Sequence, residues 1–211
     1  MSLDDVRLAL ASQTGVTAEV IPLETYALCD LWSDIRQIAH ACEEMKAGER
    51  LVLALQERMS SLEERASRTE TWPRVAAVEW LDPVMAAGNW IPELIEKAGG
   101  RNLFGTVGQH SPWMAFKQLI EADPDVIIAL PCGFDLPRTR HEMICLERQE
   151  GWKDLKAVRN GKVFLCDGNQ YMNRPGPRLV ESLQIFAEIL HPERFQPDLE
   201  GRGWQHWSSS N

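Results

Sequence analysis

The hydrophobic period of this chain changes once, at Trp72-Pro73, and that change dictates its architecture. Before it, apolar residues recur at helical steps for about 40 residues with no strand between them. Beyond it, short apolar runs alternate with helical patterns. The runs are Val75 to Trp80, Asp125 to Leu130 and Lys162 to Cys166, and the helical patterns lie near Trp90 to Ala98, Trp113 to Ala122, Leu136 to Gln149 and Pro177 to Leu190. Strands separated by helices are joined by crossovers that leave them parallel. The expected fold class is therefore α/β, with a mainly parallel, doubly wound C-terminal lobe.

In the helical half, Leu31, Ile35, Ile38, Cys42 and Met45 fall on one face of a helix that ends near Gly48. A second helix follows, with Leu51, Leu55, Met59 and Leu62 on its buried side and a charged tail through Arg68. This stretch is too long for an ordinary crossover, which predicts a rigid helical spine between two lobes. Ahead of it, Ser2 to Ser12 reads as a helix and Ala18 to Leu23 as a short strand. One helix and one strand cannot cover a sheet edge, so the N-terminal α/β lobe reads as incomplete. The expected divisions are a remnant at 1–27, the spine at 28–72, the C-terminal lobe at 73–192 and a loosely ordered tail at 193–211, parts of which Trp204 and Trp207 can pin.

Charge narrows the partners. The 211 residues carry a formal charge of -9 with no basic run, which argues against nucleic acid. No segment approaches the roughly 20 apolar residues of a membrane span, and the start lacks a basic-then-apolar export pattern. Five cysteines form no CxxC pair, an odd number that fits a reducing compartment better than a disulfide framework. As it stands, the chain reads as cytoplasmic; as a fragment of an exported parent, it reads as periplasmic.

In an open parallel sheet, ligands bind beyond the carboxyl ends of the strands. The three loops there are Trp80-Leu81-Asp82-Pro83, Pro131-Cys132-Gly133-Phe134 and Asp167-Gly168-Asn169-Gln170-Tyr171. Each sets an aromatic ring beside a Gly or Pro turn and polar groups, which suits a large, partly apolar ligand. Any one of these rings can equally cap the core. Asn89 stands where a helix cap would sit, next to Trp90. In Asn173 to Arg178, NRPGPR, the residues Arg174 and Arg178 can hold a carboxylate or lock the loop.

Catalytic patterns are weak. Cys132 has a nucleophile's position, with His110 or His141 as the base, yet no GxSxG, HExxH or P-loop accompanies it. His141 and Cys145, four apart on one expected helix, can offer two metal ligands, but no second local pair completes a site. The expectation is a protein that is not an enzyme and has no cofactor.

The segments VEWLDP, GNWIPELIEKAGG, EADPDVIIALPCGF, LKAVRNGKVFLCDG and NQYMNRPGPRLVESLQIFAEILHPE occur in that order between Arg74 and Glu193. Through them the region from Arg74 to Leu190 resembles the C-terminal lobe of class III substrate-binding proteins of ABC importers, nearest to the cobalamin-binding members. Ile21 to Arg68 resembles the last strand of the first lobe plus the interlobe helix. The resemblance implies a ligand, cobalamin or a related corrinoid, clamped between two lobes with little hinge motion; siderophore or haem is the alternative. Trp80, Trp90, Phe134 and Tyr171 would sandwich the ring, and Asp82, Asn89, Asn169 and Gln170 would meet its amide rim.

Two departures qualify the implied role. The strands and helices that open the family's first lobe are missing, so the chain is either a fragment or a half completed by another chain. In SPWMAFKQLIEADPD, Lys117 stands where relatives tend to carry an acidic residue that pairs with permease arginines. A cation there repels those arginines and weakens the docking of an ABC permease, favouring a cytoplasmic corrinoid-binding relative.

Overall fold

The structure, a computed structural model, describes residues 3–14 and 19–208. Helix α1 (Leu3–Thr14) leads to an irregular segment and then to α2 (Leu28–Ala41) and α3 (Met45–Ser67). The sheet begins with β1 (Arg74–Leu81) and β2 (Val84–Ala86), followed by α4 (Ile91–Lys97), β3 (Arg101–Asn102), α5 (Phe116–Ala122) and β4 (Val126–Ala129). Next come α6 (Leu136–Glu142), α7 (Ile144–Glu147), a 3₁₀ turn (Trp152–Asp154) and α8 (Lys156–Arg159). The chain closes with β5 (Val163–Cys166), a π-helical turn (Gly168–Met172), α9 (Leu179–Leu190) and β6 (Trp204–His206).

The sheet runs in the order β2-β1-β4-β5-β6, with β3 pairing to the start of β1. Strands β1, β4 and β5 are parallel, so their carboxyl ends share one edge; β2 and β6 are antiparallel at the flanks. The central strands read as unbroken apolar runs because both faces are covered. Val75, Ala77, Ile128, Leu130 and Phe164 face α3, α4 and α9. Ala76, Val78, Ile127, Ala129 and Leu165 point the other way, into the layer that holds Leu119 of α5 and Leu136 of α6. The mainly parallel, doubly wound α/β lobe is thus as expected.

Several local expectations are corrected. Residues 19–23 form no strand, since no neighbouring strand lies there to pair with; Ala18 falls outside the described residues. Helix α2 ends before Gly48 and turns a different stripe inward: Leu28, Leu31, Ile35 and Ala39 are buried, while Ile38, Cys42 and Met45 are exposed. Gly48 lies inside α3, where a Cβ would run into the Cβ of Ala39. It is a crossing point between helices, not a terminus. On α3, Val52 replaces Leu51 in the buried row with Leu55 and Met59, and Leu51 is exposed.

The helix expected over Leu136 to Gln149 breaks at Met143 into α6 and α7. The helix expected from Trp113 starts at Phe116; Trp113 instead bridges to Met85 and stays exposed. The tail expected to be loose is built in. Its β6 pairs with β5, and Phe195, Leu199 and Trp204 are buried. Buried Glu188 of α9 accepts hydrogen bonds from the Leu199 amide (3.1 Å) and Trp204 Nε1 (2.7 Å). Arg65 of α3 donates to the Arg194 carbonyl at 2.9 Å and lies over the Phe195 ring. The sequence signal for this was weak because β6 is only three residues long.

Candidate functional site

The carboxyl edge of the three parallel strands gathers the residues singled out in the sequence. The β1–β2 pairing shifts register between Val78 and Trp80, and β1 continues beyond its last pair with β4, Val78–Ala129. Trp80, half-buried on this hairpin, meets Phe134 from the β4–α6 loop with ring centres 5.3 Å apart and planes tilted 58°. The Arg138 guanidinium stacks on Phe134 at 3.8 Å, held there because α6 is capped by Asp135 accepting from the Arg138 amide. Arg138 was not visible as a site residue; only the fold places it on the ring.

Trp90 and Tyr171 behave differently. Trp90 is 6% exposed and its indole N–H donates to the Met172 carbonyl at 3.0 Å, joining the start of α4 to the π-helical turn. Tyr171 is 8% exposed and belongs to the same core layer. Both rings are buried in the core layer behind the edge, whereas Trp80 and Phe134 meet at it. Asn89 is not a helix cap either: it adopts a left-handed backbone (φ 52°), its amide donates to the Gln109 carbonyl, and Trp90 takes the cap position of α4.

The polar groups sort similarly. Asp82 is exposed in the hairpin turn, in a cis bond to Pro83. Arg174 donates to Asn169 Oδ1 at 3.0 Å and Arg178 to the Gln170 carbonyl at 3.4 Å, so both arginines hold their own loop. A shallow hollow of about 370 Å³ lies between them, lined by Asn169, Gln170 and the two prolines of the NRPGPR turn. Lys117 is exposed on α5 and pairs with Glu121 at 3.4 Å.

Behind the aromatic pair lies a carboxylate that the sequence reading passed over. Glu79, 8% exposed, accepts from Ser111 Oγ at 2.8 Å, and the same hydroxyl accepts from the Gly88 amide at 3.0 Å. Burial raises the Glu79 carboxyl above the ordinary range, against weaker opposing pulls from Ser111, His110 and the Gly88 amide. A charged residue inside a strand otherwise apolar is the one signal that pointed to it.

The β4 and β5 loops are laced together. The Asn169 amide donates to the Phe134 carbonyl (3.1 Å) and Asn173 Nδ2 to the Leu130 carbonyl (2.9 Å). At Gly168 a Cβ would collide with the Pro131 carbonyl oxygen, so only glycine lets these backbones meet.

The catalytic and metal alternatives find little geometry. Burial, then the charge of Glu79, pushes the Cys132 thiol up, which opposes thiolate formation. His110 Nδ1 donates to the Ser111 carbonyl at 3.0 Å, and among the described residues no hydrogen bond joins His110 or His141 to Cys132. Met143 separates His141, near the end of α6, from Cys145 in α7. Among the described residues no three His, Cys, Asp or Glu side chains are grouped to hold a metal, and no helix is long and apolar enough to cross a membrane.

Comparison with known proteins decides the family. The profile described as "Periplasmic binding protein" matches residues 12–170. The chain belongs to the periplasmic binding protein family. Among curated relatives, this periplasmic binding protein is 24% identical over 161 residues to a vitamin B12-binding protein of Vibrio parahaemolyticus, covering 75% of this chain and 55% of that one. An uncharacterized ABC transporter substrate-binding lipoprotein of Bacillus subtilis is 21% identical, with 86% of this chain and 56% of that one covered. The chain thus spans little more than half the length of these curated relatives.

Solved structures share the fold. A periplasmic heme-binding protein of Pseudomonas aeruginosa superposes with a TM-score of 0.76 at 18% identity, covering 100% of this chain and 75% of that one. The vitamin B12-binding protein BtuF of Vibrio cholerae gives 0.66 at 20% identity (91% and 71%), and S. aureus IsdE complexed with heme gives 0.73 at 17% (90% and 74%).

Proposed function

We propose that this chain is a non-enzymatic ligand-binding protein of the ABC-importer type, whose ligand is cobalamin or a related corrinoid. The observation that carries this reading is the Trp80–Phe134 pair, two rings from adjacent strand ends on the edge where open sheets take ligands. Asp82, Asn169, Gln170 and Arg174 lie on the loops of the same edge as polar partners for an amide-bearing rim. The relatives named for vitamin B12 support the choice of corrinoid, and the neighbours named for heme make haem the second reading.

Titration with cyanocobalamin, followed by calorimetry and by the corrin absorbance, tests the proposal, with hemin and a ferric hydroxamate as competitors. Trp80→Ala and Phe134→Ala are each expected to weaken corrinoid binding about tenfold, the equivalent of one lost aromatic contact. An absence of heat and of spectral change with cyanocobalamin removes the corrinoid reading, and saturable hemin binding in its place establishes the second. For the partner, Lys117 offers a cation where an arginine-bearing permease would dock. Lys117→Glu is accordingly expected to strengthen that association, measured by co-purification with permease-containing membranes.

A further inference from the structure

At the amino edge of the sheet, away from the aromatic pair, a groove of about 580 Å³ opens between α7, the 3₁₀ turn, α8 and the chain after β6. Trp207 fixes this location, because its amide donates to the carbonyl of Val163, the first residue of β5. The volume lies within the usual range of small-molecule sites, roughly 300–1,000 Å³. Half-exposed Trp207 supplies its aromatic face, with buried Trp152 packed against it edge to face at 5.7 Å, and Ile144 and Val158 extend the apolar lining.

Two further observations define what would fill it. Trp152 is 1% exposed, yet among the described residues its Nε1 donor has no hydrogen-bond partner, an unfavourable arrangement for a buried donor. Arg148 and Lys153 stand on the rim, and among the described residues neither charged group has a hydrogen bond or ion pair. In a chain with a formal charge of -9, two unpartnered cations beside an orphaned donor form a local excess of donors. Glu147 is the one acidic side chain in the lining and sits beside Arg148 in sequence.

We infer that this groove is a second ligand site, selective for a flat aromatic carboxylate whose ring lies against Trp207 and whose acid group meets Arg148 and Lys153. The site is independent of the corrinoid proposal, since it shares no residue with the carboxyl edge.

The test uses 2-naphthoate as probe, with 2-methylnaphthalene as its uncharged counterpart, read by calorimetry and by the indole N–H resonances in ¹H–¹⁵N spectra. Naphthoate is expected to bind and to shift the Trp152 resonance, identified by its loss in Trp152→Phe, whereas methylnaphthalene binds about tenfold more weakly. Arg148→Ala combined with Lys153→Ala changes only exposed side chains and should lower naphthoate affinity about tenfold or more, with an unchanged melting temperature. Trp80→Ala should leave naphthoate binding intact. The inference is overturned if millimolar naphthoate produces neither heat nor shift, if the double variant binds as the wild type does, or if Trp80→Ala abolishes binding.

Discussion

Glu79 shows how a single side chain ties the edge of the sheet to pH. Because burial raises its carboxyl, the folded chain holds this proton more tightly than the unfolded chain. Its contribution to stability is complete below about pH 4.3, the unperturbed glutamate value, and is lost as pH rises through the higher folded value. Glu79→Gln is therefore expected to gain stability relative to wild type as pH rises from about 4 to about 8, read from urea unfolding at each pH; a difference independent of pH contradicts this. Trp90→Phe removes the donor to Met172 and should cost about 1 kcal/mol of folding stability while leaving ligand affinity unchanged. In sequence Trp80 and Trp90 look alike, each an indole near a strand end. What separates them is burial and the fate of the N–H, both set by residues far away in the chain. Ser111, Glu79's partner, is 32 positions distant and left no local trace.

At the scale of elements, the central strands were legible because burial on both faces makes them continuous apolar runs, whereas β2, β3 and β6 are two or three residues long and carry no pattern. The α2–α3 pair shows the opposite failure, in which a strong pattern gave the wrong boundary. Ile38 and Met45 fit a helical step but face solvent, and Gly48 suggested a stop where it allows a crossing. Replacing a helix-interior glycine by alanine normally gains up to about 1 kcal/mol. Here the Cβ meets Ala39, so Gly48→Ala is expected to cost about 1–3 kcal/mol, and adding Ala39→Gly should recover most of the loss. Thermal melts of the wild type and these two variants separate this close approach from propensity, because propensity alone makes Gly48→Ala the more stable protein.

Over the whole molecule, the segment after α9 completes the sheet. Removing residues 193–211 unpairs one side of β5 and leaves Glu188 without its Leu199 and Trp204 donors. Such a chain is expected to give higher-mass species than the full chain on size-exclusion chromatography, because an open strand edge templates association. Composition could not show this: the tail is polar on average, and its few buried side chains count only once β5 is beside them. The lacing of the β4 and β5 loops has a consequence of another kind. Backbone contacts at Gly168 and Phe134 make the two loops a single body before any ligand arrives. Under the proposed binding role, the ordering that many binding surfaces undergo on capture is completed here during folding, and this wall then adds little to the entropic penalty of association.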